Sequence, residues 1–299
     1  MTRIGSILLA TDFSEDAGHA ATRAAMLASE AQASLTLMHV LPAPMLQSLR
    51  SMFGNASGAE AGLLDDARQS LSALAAMLAA AAGRAVGEEL RVGRVVDEIL
   101  GASSGFDLLV LGAHGANPLR DLIIGTTAER LLSKLRRPAL VIRQPARESY
   151  RQVVVAIDFS PDSSAALRTA LEVAPNAAIT AVHAFDIPFE NKLRAAGVPD
   201  DEVERHRVQA RQSAMQEIER TAVQAGAAPG SIARIVQQGA PGRLLLEHAE
   251  HLGADLIVVG KHGQSGVEEL LLGSVTRHLL ADARCDVLVA RHAADGPLP

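Results

Sequence analysis

Three glycines and a hydroxyl residue occur twice in this chain at one spacing. The first set is Gly112-x2-Gly115-x9-Gly125-Thr126, followed by Thr127. The second is Gly260-x2-Gly263-x9-Gly273-Ser274, followed by Val275. Glycine lets a backbone come close to a neighbour because no Cβ stands in the way. If Gly125 and Gly273 precede helices, free N–H groups and the positive end of the helix dipole favour an anion there. Thr126, Thr127 and Ser274 add hydroxyl donors, so a phosphate could be held without lysine. An aspartate stands at the end of an apolar run in each half, Asp12 in "ILLATDFS" and Asp158 in "VVVAIDFS".

The same residues suit an empty loop. Glycines end strands and Ser/Thr start helices in any α/β turn, and "TTAE" (Thr126–Glu129) fits a capping box with Glu129 reaching back to the N-cap N–H. Neither loop is a G-x-x-x-x-G-K-[ST] sequence, and no G-x-G-x-x-G follows the first strand. On the residues alone, phosphate cradle and plain turn both stay open.

Positioning these residues requires a repeated domain. "LTLMHV" returns as "ITAVHA" and "DLLVLGAHG" as "DLIVVGKHG", with Asp12 mapping to Asp158 and Gly112 to Gly260. The period of about 147 residues is far beyond the roughly 20–50 of solenoid repeats. A duplicated domain is expected, 1–146 and 147–299, with the seam near Pro145–Arg151. Short apolar runs alternate with helical patterns in each copy. Leu108–Leu111 and Leu256–Val259 are continuous aliphatic runs of the kind parallel sheets bury. Leu41–Gly62 and Phe185–Pro199 read as variable stretches. Gly83 and Gly226 read as helix stops, and Ser160-Pro161 as a helix start. The order βαβαβαβαβ, twice, predicts an α/β chain of two tandem doubly wound domains, each a five-stranded parallel sheet flanked by helices. Ligands in such sheets sit outside the carboxyl ends of the strands, where strand order reverses. Asp12, Gly112, Asp158 and Gly260 all fall on that edge.

Composition bounds the function. Apolar residues make up 48% of 299, enough for two cores, and these are aliphatic, with no Trp, one Tyr and six Phe. So few aromatics leave little for stacking single-stranded nucleic acid. A net charge of −6 without long basic runs argues against a nucleic-acid or anionic-membrane surface. One cysteine, Cys285, makes no internal disulfide, and the N-terminus does not read as a signal peptide. The chain is expected to be cytoplasmic.

These motifs resemble the universal stress proteins. The chain is similar to a tandem member, two UspA-like domains of the ATP-binding branch, with an adenine-nucleotide alpha-hydrolase-like, Rossmann-like fold. The resemblance covers essentially all of the chain. It implies that Gly112, Gly115, Gly125, Thr126 and Thr127, and Gly260, Gly263, Gly273, Ser274 and Val275, bind the ribose and phosphates of ATP, with or without Mg2+. It implies that Asp12 and Asp158 lie by the adenosine part. It also implies that the backbone of Val40 and, less well matched, Ala184 meets adenine. The expected role is a nucleotide-dependent stress-response or signalling module, in which occupancy orders the glycine loops and the variable stretches. The alternatives are a slow ATPase or adenylyl-transfer enzyme, or a scaffold with empty sites. By the same resemblance the domains pair through their last strands, near Leu140–Arg143 and Val287–Ala290, as an intramolecular pseudo-dimer, and a further homodimer stays open.

The two loops carry different charges. Arg120 and Asp121 stand in the first, and Glu268 and Glu269 in the second. Arg277 replaces Glu129 in the following helix, and Lys261 adds a phosphate partner beside Gly260. His39 with His183, His114 with His262, and His248 with His251 read as polar residues near strand ends or on helix faces, rather than metal ligands. No catalytic or metal-binding residue is assigned.

Overall fold

The computed structural model describes residues 4–53, 58–115, 125–186, 198–264 and 271–292. The chain divides into two compact units. One is built chiefly on Met1–Ser149, the other on Tyr150–Val267 with Gly273–Ala283 and Val289–Pro299.

The first unit runs β1 (Ser6–Ala10), α1 (Glu15–Ala31), β2 (Ser34–Pro42), α2 (Ala43–Phe53), α3 (Ala59–Ala82), β3 (Val86–Gly93), α4 (Val95–Ser103), β4 (Leu108–Gly112), α5 (Thr126–Lys134) and β5 (Ala139–Ile142). Its strands lie in the order β3-β2-β1-β4-β5 and the pairs are parallel, with Leu8 opposite both Thr36 and Leu109. The sequence moves outward from β1 to β3, then returns to the other side at β4. Right-handed crossovers therefore send the helices to opposite faces. α1 packs on α3, and α4 on α5. Strand order reverses between β1 and β4, which opens a crevice at their carboxyl ends.

Covered on both faces, β4 buries Leu108 to Leu111 at 5% exposure or less, which is why its sequence is an unbroken aliphatic run. The edge strand β3 reads weakly because it is half-exposed and mixes Glu88, Glu89 and Arg91 with its apolar residues. At the amino edge, Asp107 accepts hydrogen bonds from Gly5 N, Ser6 N and Ser6 Oγ at 2.9–3.0 Å. The repeated aspartate of "DLLVLG" thus fastens the start of β4 to β1, far along the strand from the glycines.

Two expectations change. β2 continues past Val40 to Pro42, pairing with β3 as far as Gly93. The variable stretch after it holds a helix, α2. Its 11 residues mix polar and apolar side chains and carry Pro44 near the start, so its composition reads as a loop. Tertiary contacts stabilise it: Leu46 is buried and Arg50 pairs with Glu60 on α3. The Gly83 stop is present, in the left-handed region at φ 66°.

The second unit runs β6 (Gln152–Ala156), α6 (Pro161–Val173), β7 (Ala178–Phe185), α7 (Asp200–Ala225), β8 (Ala233–Gln238), α8 (Pro241–Leu252), β9 (Leu256–Gly260), α9 (Ser274–Asp282) and β10 (Asp286–Ala290). Its order, β8-β7-β6-β9-β10, repeats that of the first. Val154 lies opposite Thr180 and Ile257 in parallel register. Ser160 caps α6, accepting from Ser163 N, with Pro161 at the first helical position. Gly226 ends α7 at φ 101°. Asp255 repeats the amino-edge fastening, accepting from Arg151 N and Gln152 N.

Candidate functional site

The carboxyl end of β1 is tightly organised. Thr11 N donates to Met38 O on β2 at 2.9 Å. His39 Nδ1 lies 2.7 Å from Thr11 O, and a carbonyl only accepts, so Nδ1 carries the proton. The next residue, Asp12, turns the chain: its Oδ1 accepts from Ser14 N at 3.0 Å. Phe13 then sits in the left-handed region at φ 62° with its ring 4.5 Å from that of His39. A bulky residue at positive φ costs on the order of 1–3 kcal/mol and persists where its surroundings hold it. Ser14 caps α1 through Ala17 N. Val40 is buried one residue beyond His39.

The glycine loop approaches from β4. A Cβ on Gly112 would lie 2.9 Å from Asp16 C and 3.0 Å from Ala17 N, so this glycine is required by the backbone of α1. Gly115 does face the aspartate: a Cβ there would stand 2.8 Å from Asp12 Oδ2. Gly125 N donates to Ala113 O at 2.9 Å, and a Cβ on Gly125 would lie 3.4 Å from that oxygen and 3.7–3.8 Å from His114 Cα and Gly115 N. Asp12, Gly115, Gly125 and the start of α5 therefore form one continuous surface, although more than a hundred residues separate its ends.

The helix start differs from the capping box that "TTAE" implied. Gly125 is the N-cap, with no side-chain cap bond. The first helical bond is Glu129 N to Gly125 O, 3.0 Å. Thr126 is thus the first helical residue, one place too late to serve as cap. The N–H groups of Thr126, Thr127 and Ala128 have no acceptor within the helix, and Thr126 and Thr127 are exposed. This is an anion-favouring end.

The second unit builds the same surface. Ile157 N donates to Val182 O, His183 Nδ1 donates to Ile157 O at 2.8 Å, and Phe159, φ 64°, holds its ring tilted 4.5 Å from that of His183. Ala184 follows on β7. Asp158 Oδ1 accepts from Ser160 N and Ser160 Oγ. Gly260 is pressed on Asp162 and Ser163, Gly263 on Asp158 Oδ2, and Gly273 on Lys261 O and His262 Cα. Gly273 is the N-cap of α9, which starts at Ser274 and Val275. Lys261 is 2% exposed, so it is not the open phosphate partner that its position beside Gly260 implied. The charged positions Arg120, Asp121, Glu268 and Glu269 lie outside the described residues.

One pair of residues escaped sequence reasoning. Asp16 Oδ2 accepts from His114 N at 3.0 Å and from its Nδ1 at 2.8 Å, and Asp162 does the same for His262 at 3.0 and 3.2 Å. Each aspartate clamps the first turn of a glycine loop to the first helix of its unit. The signal was available, since both halves read D-F-S-x-D. His248 and His251, by contrast, bond on or beside α8, to Gln237 Oε1 and Glu247 O.

These features define a class, a duplicated doubly wound α/β protein with a glycine loop at each switch point. The model of the universal stress protein family matches residues 4–143 and 149–291. The chain belongs to the universal stress protein family. A universal stress protein of Mycolicibacterium smegmatis is 29% identical over 297 residues, spanning 95% of this chain and 96% of that protein. One from Methanocaldococcus jannaschii is 32% identical over 145 residues, 48% of this chain and 82% of its own. In structure, a universal stress protein from Archaeoglobus fulgidus matches with a TM-score of 0.71 at 18% identity, covering 96% of this chain and 98% of that one, a likeness of fold. Among the described residues, no helix is long and apolar enough to cross a membrane.

Proposed function

We propose that this chain is an adenine-nucleotide-binding universal stress protein, with ATP as its ligand, and that occupancy changes which partners it engages. The observation that carries this reading is the continuous surface of Asp12, Gly115, Gly125 and the α5 start, built again from Asp158, Gly263, Gly273 and the α9 start. The Cβ-free positions and the open helix N–H groups fit a polyphosphate: Gly115, Gly125, Thr126 and Thr127 would hold it in one unit, and Gly263, Gly273, Ser274 and Val275 in the other. Asp12 and Asp158 would take the ribose side, and the backbones of Val40 and Ala184 the base. Mg2+ would arrive on the triphosphate. When bound, the nucleotide supplies charge that the loops must gather to meet, which couples occupancy to loop order.

Protein purified without added nucleotide and then denatured is expected to release adenine nucleotide by mass spectrometry, and ATP with Mg2+ is expected to raise the melting temperature. Repeated absence of both overturns the reading. Gly125→Val and Gly273→Val separate it from an empty scaffold. A scaffold loses only stability, whereas a binding loop loses ATP affinity by about ten- to a hundredfold in the folded variant, the scale of one or two charge-assisted hydrogen bonds.

A further inference from the structure

We propose that His39 and His183 stop a strand ladder in each unit one bond early, which frees the Val40 and Ala184 N–H groups to read the edge of the nucleotide's base; this rests on the nucleotide reading above. In a parallel ladder, a residue that donates to one carbonyl of the neighbouring strand accepts from the N–H two places further along it. Thr11 N donates to Met38 O at 2.9 Å, so the regular partner of Thr11 O is Val40 N. Thr11 O accepts instead from His39 Nδ1 at 2.7 Å, and the pairing of β1 with β2 stops at Ala10 opposite Met38. The second unit repeats the exchange. Ile157 N donates to Val182 O at 2.9 Å, His183 Nδ1 donates to Ile157 O at 2.8 Å, and the pairing of β6 with β7 stops at Ala156 opposite Val182.

The missing bond is not a frayed end. Val40 lies inside β2, which runs on to Pro42, and Ala184 inside β7, which runs on to Phe185. Each imidazole is braced by a phenylalanine ring 4.5 Å away, Phe13 and Phe159, and both phenylalanines sit in the left-handed region, at φ 62° and 64°. The displaced N–H groups are left with no acceptor on the neighbouring strand. Val40 is 7% exposed, and a buried N–H is rarely left without a partner. An acceptor on a ligand in the crevice would supply one. Adenine offers such an acceptor at N1, whereas guanine and hypoxanthine carry a proton there. A fixed donor facing that proton leaves both unpaired, so the sites favour 6-amino over 6-oxo purines. His39 and His183 are positioning residues, acting through Val40 and Ala184.

The test combines residue-resolved amide hydrogen exchange on the full chain with calorimetric titration by ATP and by inosine triphosphate, each with Mg2+. In wild type, ATP is expected to slow exchange at Val40 and Ala184, and to bind about ten- to a hundredfold tighter than inosine triphosphate, the scale of a donor left unpaired. His39→Phe with His183→Phe vacates both carbonyls and lets the ladders close. The two amides are then expected to exchange more slowly without nucleotide, and the preference for ATP to fall toward one. A side chain that only braced the strand end would weaken both nucleotides alike, and that result overturns the inference. If the double variant does not fold, wild type alone decides: ATP binding that leaves Val40 and Ala184 exchange unchanged overturns the inference and leaves the nucleotide reading standing. No ATP binding by wild type sinks both.

Discussion

The two glycine loops begin and end alike and differ in how firmly those ends are tied. In the first unit the clamp is half-open to solvent, with the Asp16 and His114 side chains 28% and 36% exposed. In the second, Asp162 and His262 are 12% and 17% exposed, and Asp162 also accepts from His292 N at 2.7 Å. Thr276 Oγ1 donates to Gly260 O at 2.8 Å, where the first unit has Ala128. The glycines, strand-end aspartates and helix starts set the shape, and they repeat. The residues between them set the cost of rearranging it, and they do not.

The largest effects should be equal in the two units. Gly112→Val and Gly260→Val each drive a side chain into the backbone of a neighbouring helix, an overpacking costing about 1–3 kcal/mol. Urea unfolding followed by circular dichroism should show similar losses. A loss confined to one unit would break the claim of a shared scaffold.

The clamp should separate the units. Asp162→Asn is expected to cost about 1–3 kcal/mol, because buried N–H groups lose a charged acceptor, and Asp16→Asn about 0.5–1.5 kcal/mol, because water replaces part of the loss. An equal cost, measured the same way, would show that exposure does not distinguish the clamps. Thr276→Ala should cost about 1 kcal/mol in the second unit, the net value of one hydrogen bond.

The smallest effect belongs to the first unit alone. The hydrogen bond from Arg50 holds the Glu60 carboxyl below its ordinary value of 4.5. A lowered carboxylate stabilises the fold above its unfolded value, and that contribution is lost as pH falls through the folded one. The advantage of wild type over Arg50→Ala in melting temperature should therefore be full above pH 4.5 and fade as pH falls through the lower folded value. Both groups are exposed and screened, so the difference at neutral pH should be slight. A gap that widens on acidification would refute the pairing.

Much of this was legible in the chain. The duplication supplied each strand twice, so weak patterns such as β3 and β8 could be read against their partners. Continuous aliphatic runs marked the buried strands, and Ser160-Pro161 marked a helix start. The errors are local in origin. α2 has loop-like composition because its stability comes from the burial of Leu46 rather than from propensity. Thr126 looked like a cap because hydroxyls are good caps, yet the bond from Gly125 N to Ala113 O anchors the helix one residue earlier.

The amino-acid sequence by itself determined the repeat, the α/β order, and the arrival of Asp12 with Gly115 and of Asp158 with Gly263 at one sheet edge, because strand periodicity and strand ends are local properties. Only the tertiary structure decided what each residue meets there. Gly112 answers to the backbone of α1, Asp16 reaches His114 across 98 positions, and Gln264 reaches Asp158 across 106. Those contacts depend on how closely small side chains let each helix lie on the sheet and on which way each loop leaves it, and neither is written in the spacing of residues along the chain.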